Sequence, residues 1–409
     1  MTAIGRLVAL WVLLLPAAAA ACPFCTALRP TLASQRETAD VVLLAEVLET
    51  RERAARLGVH HVLRGKERIA GSEPLWVEID TDLARGGLVL ALGRSDRLPA
   101  ADEDAAVRKP AADAVEIEAP QRGPSVEATS ASDAAAALTW TLIRVNETSY
   151  AYAVRAPSLR EPAAERLRWF ARYLEHADPL IAEDAYFEFG HAPYDVVAQV
   201  ADALPMERLR AWLVDERVPQ ERKGFYGLAL GLAPTAEDRA ANLALLREVI
   251  AAPADDFRSG FDGVLGGYLV GAGEAALELI EARFLADPAA AEGDTRHALS
   301  ALRFYYEYGD QIPRARLCAA VRHLIVRPAF AAMAVTDLAR WQDWEPLAEV
   351  VALYDGESLP QPATNRAVIG YLLSCPLPQA AVELEALRRR APEAVAEAER
   401  YLLLLGPAR

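Results

Sequence analysis

The sequence predicts a multidomain α+β chain: a small β-barrel or sandwich over residues 22–155, followed by an α-solenoid over residues 156–409. Three observations predict it. Before residue 155, short runs of branched apolar residues are separated by Gly or Pro, as closely spaced strands are. From Glu161 onward, apolar residues recur at helical spacing, in units of helix, short break and helix. A chain of 409 residues is also too long for one ordinary core, and 53% apolar content is ample to fill two.

Residues 1–21 read as an export signal. Arg6 is the only charged side chain before Arg29. Leu7 to Leu15 is an apolar run, Pro16 breaks it, and Ala17 to Ala21 supply small residues for cleavage. The run is shorter than the roughly 20 apolar residues of a spanning helix; the alternative is an uncleaved N-terminal anchor. Ala19-Ala20-Ala21-Cys22 also resembles a bacterial lipoprotein box, with Ala at the usual Leu position, which makes Cys22 a candidate for lipidation. The expected location is the periplasm or cell envelope, with membrane contact only through an N-terminal lipid or a retained anchor. The net charge of -15 repels phosphate backbones and argues against a nucleic-acid partner.

In the β-region, Asp40 to Glu46 reads as a buried strand. Val59 to Leu63 follows, closed by Arg64-Gly65. Leu75 to Ile79 alternates and reads as half-buried. Gly86-Gly87 leads into Leu88 to Leu92, ended by Gly93. Leu138 to Val145 and Tyr150 to Val154 complete the set. Residues 94–137, rich in Ala, Asp, Glu and Pro, read as a mobile insertion, because so few large apolar side chains cannot offset the entropy of ordering. The alternative is an edge strand near Val115 to Ile117. A Cys near the mature N-terminus, then "ADVVLLAEV", "HHVLRGKE" and "GGLVLAL", together resemble the netrin-like, tissue-inhibitor-of-metalloproteinase type of domain. That resemblance implies a five-stranded barrel of the oligonucleotide/oligosaccharide-binding (OB) type. The family's partner Cys residues are missing from this region, so it implies no inhibitor activity.

In the helical region, Leu167, Phe170, Ala171 and Leu174 share one face. Asp178 is placed to cap a second helix opened by Pro179, whose stripe is Ile181, Ala185 and Phe189. Further stripes are Leu277, Ile280, Phe284 and Leu285; Leu299, Leu302 and Tyr306; and Leu317, Ala320, Val321 and Leu324. Pro residues from Pro179 to Pro392 mark the breaks. Paired helices in long series suggest a solenoid. Tetratricopeptide and ankyrin signatures are absent, and irregular pairs of about 30 to 45 residues look most like HEAT-type repeats. "YLEHADPLIAEDAYFEFGHAPY", "ALRFYYEYGD" and "VTDLARWQDWEPL", behind a "CPFC" start, resemble a group of exported bacterial proteins with HEAT-like helices. This implies an architecture and an envelope location, and no reaction.

Few places can carry chemistry. Cys22-Pro23-Phe24-Cys25 has the spacing of glutaredoxin-like redox sites, but no strand precedes it to set up a thiolate. Thr26 rules out the haem-attachment pattern. Zinc would need two more ligands, and His60 and His61, adjacent on a strand, point to opposite faces. A local disulfide or thiol pair at Cys22 and Cys25 is the favoured reading, and Cys318 and Cys375 read as buried small hydrophobes. Asp184 and Glu188 share a helix face at i, i+4, beside Glu183, and could divide acid and base roles; pairing with Arg166, Arg168 or Arg172 is the simpler expectation. Asp337, Arg340, Trp341, Asp343 and Trp344 form a dense patch that reads as inter-repeat packing or as a binding surface. His176, His191, His297 and His323 have no metal spacing, and Gly260, Gly263, Gly266 and Gly267 read as close helix packing or a bend. The sequence therefore favours a non-enzymatic envelope protein that binds protein or peptide on its helical face, without cofactor or metal. The alternative is a thiol-disulfide or metal-binding protein using Cys22 and Cys25.

Overall fold

A computed structural model describes residues 24–25, 28–70, 75–79, 83–95, 138–253, 258–355 and 362–405. The expected export signal, Cys22 and residues 96–137 lie outside the described residues, as does the alternative strand at Val115 to Ile117. The chain divides into two units: Arg29–Glu188, and Phe189–Arg409 together with the residues up to Leu28.

The first unit holds an antiparallel sheet of five strands: β1 (Val41–Arg51), β2 (Ala54–Arg64), β3 (Leu75–Glu78), β4 (Leu88–Ser95) and β5 (Leu138–Val145), in the order β3-β2-β1-β4-β5. β1 is central, and its unbroken apolar run is buried on both faces from Val41 to Ala45. β3 is an edge strand and alternates, with Leu75 and Val77 inward and Trp76 and Glu78 outward. Register brings Val47 opposite Leu57 and Ala45 opposite Val89, so side chains of β1, β2 and β4 form the core with Leu138 of β5. Register shifts in the β1–β2 ladder, including those flanking Leu43 and Leu44, mark bulges, which bend and twist a strand pair. The edge strands β3 and β5 approach each other, with no ladder joining them among the described residues.

Helices α1 (Leu32–Thr38), α2 (Lys66–Ile69), α3 (Glu147–Arg155) and α4 (Ala163–Phe170) belong to the same unit, and α5 (Pro179–Gly190) carries its last residues. Two expectations are corrected here. Tyr150 to Val154 is not a strand but lies within α3. Its aromatic and branched residues suit a strand, yet Asn146 accepts bonds from the Thr148 and Ser149 N–H groups while the Ser149 hydroxyl accepts from the Asn146 N–H. That reciprocal cap starts a helix and outweighs local β-preference. Arg94 and Ser95, assigned to the insertion, extend β4; the Asp40 carboxylate holds Ser95 by its N–H and hydroxyl, at 2.8 and 2.7 Å.

The second unit is helical among its described residues. It runs through α6 (Tyr194–Gln199), α7 (Met206–Val214), α8 (Gln220–Gly231), α9 (Ala236–Ala251), α10 (Phe261–Ala272) and α11 (Glu274–Ile280), which a π-turn over Glu281–Leu285 extends. There follow α12 (Glu292–Tyr308), α13 (Arg314–Arg322), α14 (Ala331–Arg340), α15 (Leu347–Ala352), α16 (Pro362–Ser374), α17 (Pro378–Arg390) and α18 (Pro392–Leu405). The tightest joint is α8 against α10. A side chain on Gly263 would overlap the Gly224 carbonyl, one on Gly267 the Gly227 carbonyl, and one on Gly227 would sit 2.6 Å from the Val264 Cα. The two backbones touch, which only glycine allows. Gly263 and Gly267 thus serve the close packing read from the sequence.

Replacing Gly267 by Ala is expected to cost about 1–3 kcal/mol through overpacking. A methyl group added at Gly370 in α16 would meet nothing within 4 Å, so Gly370→Ala is expected to add about 0.5–1 kcal/mol of helix stability. Urea midpoints of the two variants check this. A neutral Gly267→Ala would mean that the backbones do not touch.

Candidate functional site

The most concentrated group of buried polar side chains in the first unit centres on Asp184 of α5. Asp178 starts this helix as expected: its carboxylate accepts the Leu180 N–H at 2.9 Å, ahead of Pro179. Ile181 and Ala185 are fully buried, as their stripe requires. Asp184 is buried as well, at 4% exposure. One carboxylate oxygen accepts the backbone N–H of Leu32 at 2.6 Å, in the unsatisfied first turn of α1. The other accepts the Tyr152 hydroxyl of α3 at 2.7 Å. One carboxyl group therefore ties together three helices.

Burial pushes the Asp184 carboxyl up to about 6, against the pull of the Leu32 and Tyr152 bonds; nearby Glu188 raises it further and Arg36 lowers it. Burial, with Asp184 beside it, raises the Tyr152 hydroxyl far above its ordinary range. The Tyr152 ring lies in an aromatic cluster, with ring centroids 5.1 Å from Trp169 and 4.9 Å from Tyr173. Glu188, 3% exposed, pairs with Arg166 of α4, and Glu183 lies 3.9 Å from Arg29 at the surface. Of the three arginines named as partners, Arg166 takes the buried carboxylate, while Arg172 donates to the Trp169 carbonyl.

Beside this group is a cleft of about 180 Å³ lined by Ala33, Arg36, Glu37, Arg64 and Ser158, among others. Its polar side chains are engaged with one another. Arg64 caps the end of α1 through the carbonyls of Arg36, Glu37 and Ala39, at 3.1, 2.8 and 3.3 Å. Arg64 and Ser158 also bond the two oxygens of Glu37 and hold its carboxyl below the usual range. Arg36 donates to the Ala153 carbonyl, near the end of α3. Chemically, the arrangement fixes α1, α3 and α5 around the carboxyl group. Both oxygens of Asp184 are occupied, so an acid–base pair with Glu188 would have to break the clamp before meeting a substrate.

The patch at 337–344 is drawn into helix packing in the second unit. Trp341 stacks on Tyr306 of α12, 4.2 Å between centroids and 6° from parallel. Asp337, 4% exposed, accepts from Arg303 at 2.8 Å; its burial raises its pKa and Arg303 lowers it. Asp343 takes two bonds from Arg322 at 2.7 and 2.6 Å, and Trp344 meets Tyr371 of α16 edge-on at 5.0 Å. Arg340 is exposed. Cys25 is half-buried in the second unit; Cys318 is buried and its thiol is pushed up to about 11, chiefly by burial. His60 and His61 are both exposed, and His60 lies 3.3 Å from Glu46. The Nδ1 of His176 accepts the Asp178 N–H, His297 lies 3.6 Å from Asp262, and His323 lies 2.9 Å from Glu281. Among the described residues, no three His, Cys, Asp or Glu side chains converge as a metal site. No described helix is long and apolar enough to cross a membrane.

Sequence reasoning missed Leu32, Arg36 and Tyr152 as partners of Asp184. It also missed Phe24, which is 3% exposed and seated in the second unit. Asp184 and Leu32 are 152 positions apart, and no local spacing connects them. No protein-family model and no curated protein matches the chain.

The raised Asp184 pKa has a definite sign. Its ordinary value is 3.8 and its folded value about 6, so the folded state retains a proton that the unfolded state releases. Stability from this group is present below about pH 4 and is lost as pH rises through about 6. Asp184→Asn cannot titrate. The stability difference between wild type and Asp184→Asn should therefore change by roughly 2–3 kcal/mol between pH 4 and 7, with wild type losing ground as pH rises. Denaturant melts at several pH values measure it, and parallel curves would remove Asp184 as the titrating group.

Proposed function

We propose that this chain is an exported, non-enzymatic binding or scaffolding protein of the cell envelope. In this reading the sheet is a small barrel of the OB type and the helices form a HEAT-like solenoid whose face takes a protein or peptide. Strand order supports the barrel: β3 and β5 are the two edges, they approach each other, and closing that gap would complete five strands. The solenoid rests on how the helices pack. The main contacts join neighbours and next-but-one neighbours: α7 with α8, α8 with α9 and α10, α10 with α11 and α12, α14 with α16, and α16 with α17 and α18. Such stacking along the chain gives an extended surface rather than a central pocket.

That packing of neighbours and next-but-one neighbours carries the functional reading. A second observation agrees with it. The buried carboxylates at Asp184, Glu188 and Asp337 are each bonded to donors of the same unit, which suits structural work. The envelope location rests on the pattern of residues 1–21 and on Cys22.

The test is photo-crosslinking in intact cells from exposed positions along the helical unit, including Arg247, Arg314, Arg340 and Arg366. A protein adduct of one mass at a subset of these positions is the expected result. Purified chain should also show no thiol-disulfide turnover that Cys25→Ser abolishes. Such turnover, with no adduct at any position, would replace the scaffold with a redox protein built on Cys22 and Cys25.

A further inference from the structure

Phe24 does not trail from the molecule. It is 3% exposed and its ring meets Phe304 of α12 edge-on, 4.8 Å between centroids. Phe304 is in turn held by Tyr194 at 4.9 Å and Tyr308 at 5.3 Å. Three glycines from three helices make room for this stretch. A side chain on Gly266 of α10 would come 2.9 Å from the Phe24 ring, and one on Gly224 of α8 would come 3.1 Å from the Phe24 carbonyl. One on Gly190 of α5 would strike Leu28 and approach the Cys25 Cβ to 3.3 Å. All of these residues belong to the second unit.

We infer that the stretch carrying Phe24, Cys25 and Leu28 is a strap that locks the helical unit, and that the unit is complete only while Phe24 is seated against Gly266 and Phe304. The second unit is then discontinuous in sequence: its first piece ends at Leu28, its remainder begins at Phe189, and the sheet unit is inserted between them. Glycine in a helix interior costs stability relative to Ala. Gly266 lies in the middle of α10, and its lack of a side chain is what admits the ring. Without the ring, the space between Gly266 and Phe304 is left without its packing atoms, and its lining loses those contacts. Seating Phe24 brings residues 280 positions apart into contact, 24 with 304, so the strap couples its own short segment to α8, α10 and α12. Whatever is attached to or removed from the chain just before Phe24 acts directly on the packing of those helices. The strap works this way whether or not the helical face binds a partner.

Hydrogen exchange on the full chain tests it. Phe24→Ala should speed exchange of core amides in α8, α10 and α12 by about a hundredfold or more, as loss of a buried aromatic does. Amides of β1 and β4 should keep their wild-type rates, and benzene should slow the accelerated amides again by filling the seat. Equal acceleration in both units, or none in the helices, would overturn the strap. Should Phe24→Ala not fold, Gly266→Ala crowds the same ring from the opposite side. It should give the same confined acceleration, and the pair Phe24→Leu with Gly266→Ala should exchange more slowly than Gly266→Ala alone. If the two changes simply add, the ring is not seated on Gly266 and the inference is wrong.

Discussion

Helices α8 and α10 meet backbone to backbone, and the helical unit is arranged around that contact. Gly263 and Gly267 of α10 face the carbonyls of Gly224 and Gly227 of α8. At this distance no side chain separates the two backbones, and dispersion acts directly between them. The glycines carry an entropic penalty of roughly 0.5–1 kcal/mol each relative to Ala in a helix. The close fit must offset several such penalties at once. It does so because flanking positions are large and buried: Phe225, Tyr226 and Leu228 on α8, and Val264, Leu265 and Leu269 on α10, are at most 3% exposed. Gly266, on another side of α10, faces away from this joint and receives Phe24. One helix thus uses glycine on two faces for two different contacts.

How much of this was legible follows from the range of the forces. Strands β1, β3, β4 and β5 could be read because apolar runs and period-two alternation are local. Leu138 to Val145 matches β5 at both ends. The Asp178-Pro179 start of α5 was legible for the same reason, since a cap and its helix are adjacent. Tyr150 to Val154 went the other way: composition favoured a strand, and a four-residue capping box at Asn146 decided for a helix. The glycines of α10 were readable as packing residues, but not their partners. Asp184 was visible as half of a carboxylate pair on one helix face. Its real partners, Leu32 and Tyr152, come from other helices and carry no shared spacing. Phe24 was hidden inside a motif that drew attention to its cysteines.

Asp184 illustrates how the first unit holds together away from its sheet. A carboxylate taken out of water loses several kcal/mol of hydration, which only good hydrogen bonds can return. Here the donors are an otherwise unsatisfied N–H in the first turn of α1 and a tyrosine hydroxyl that itself needs a partner when buried. Each donor would be costly to leave alone, so the three groups stabilise one another. The same carboxyl keeps a raised pKa because these two bonds do not fully compensate burial. The clamp is therefore strongest as a geometric device and weakest as an electrostatic one. It fixes which helices meet, at a cost in stability that grows as pH rises from about 4 to about 6.

The interior charges also constrain what the surface can do. Glu188 with Arg166, Asp337 with Arg303, and Asp343 with Arg322 are buried or partly buried pairs within single units. Removing one member of a buried pair typically costs about 3–5 kcal/mol, because the other is left charged without a partner. A substrate that recruited any of these carboxylates as an acid or base would incur that cost on binding. The excess negative charge of the chain, -15 overall, therefore resides in side chains outside these pairs. A net charge of that sign repels polyanions. The interior chemistry is thus taken up in holding helices together: each of these carboxylates is already matched by an arginine of its own unit.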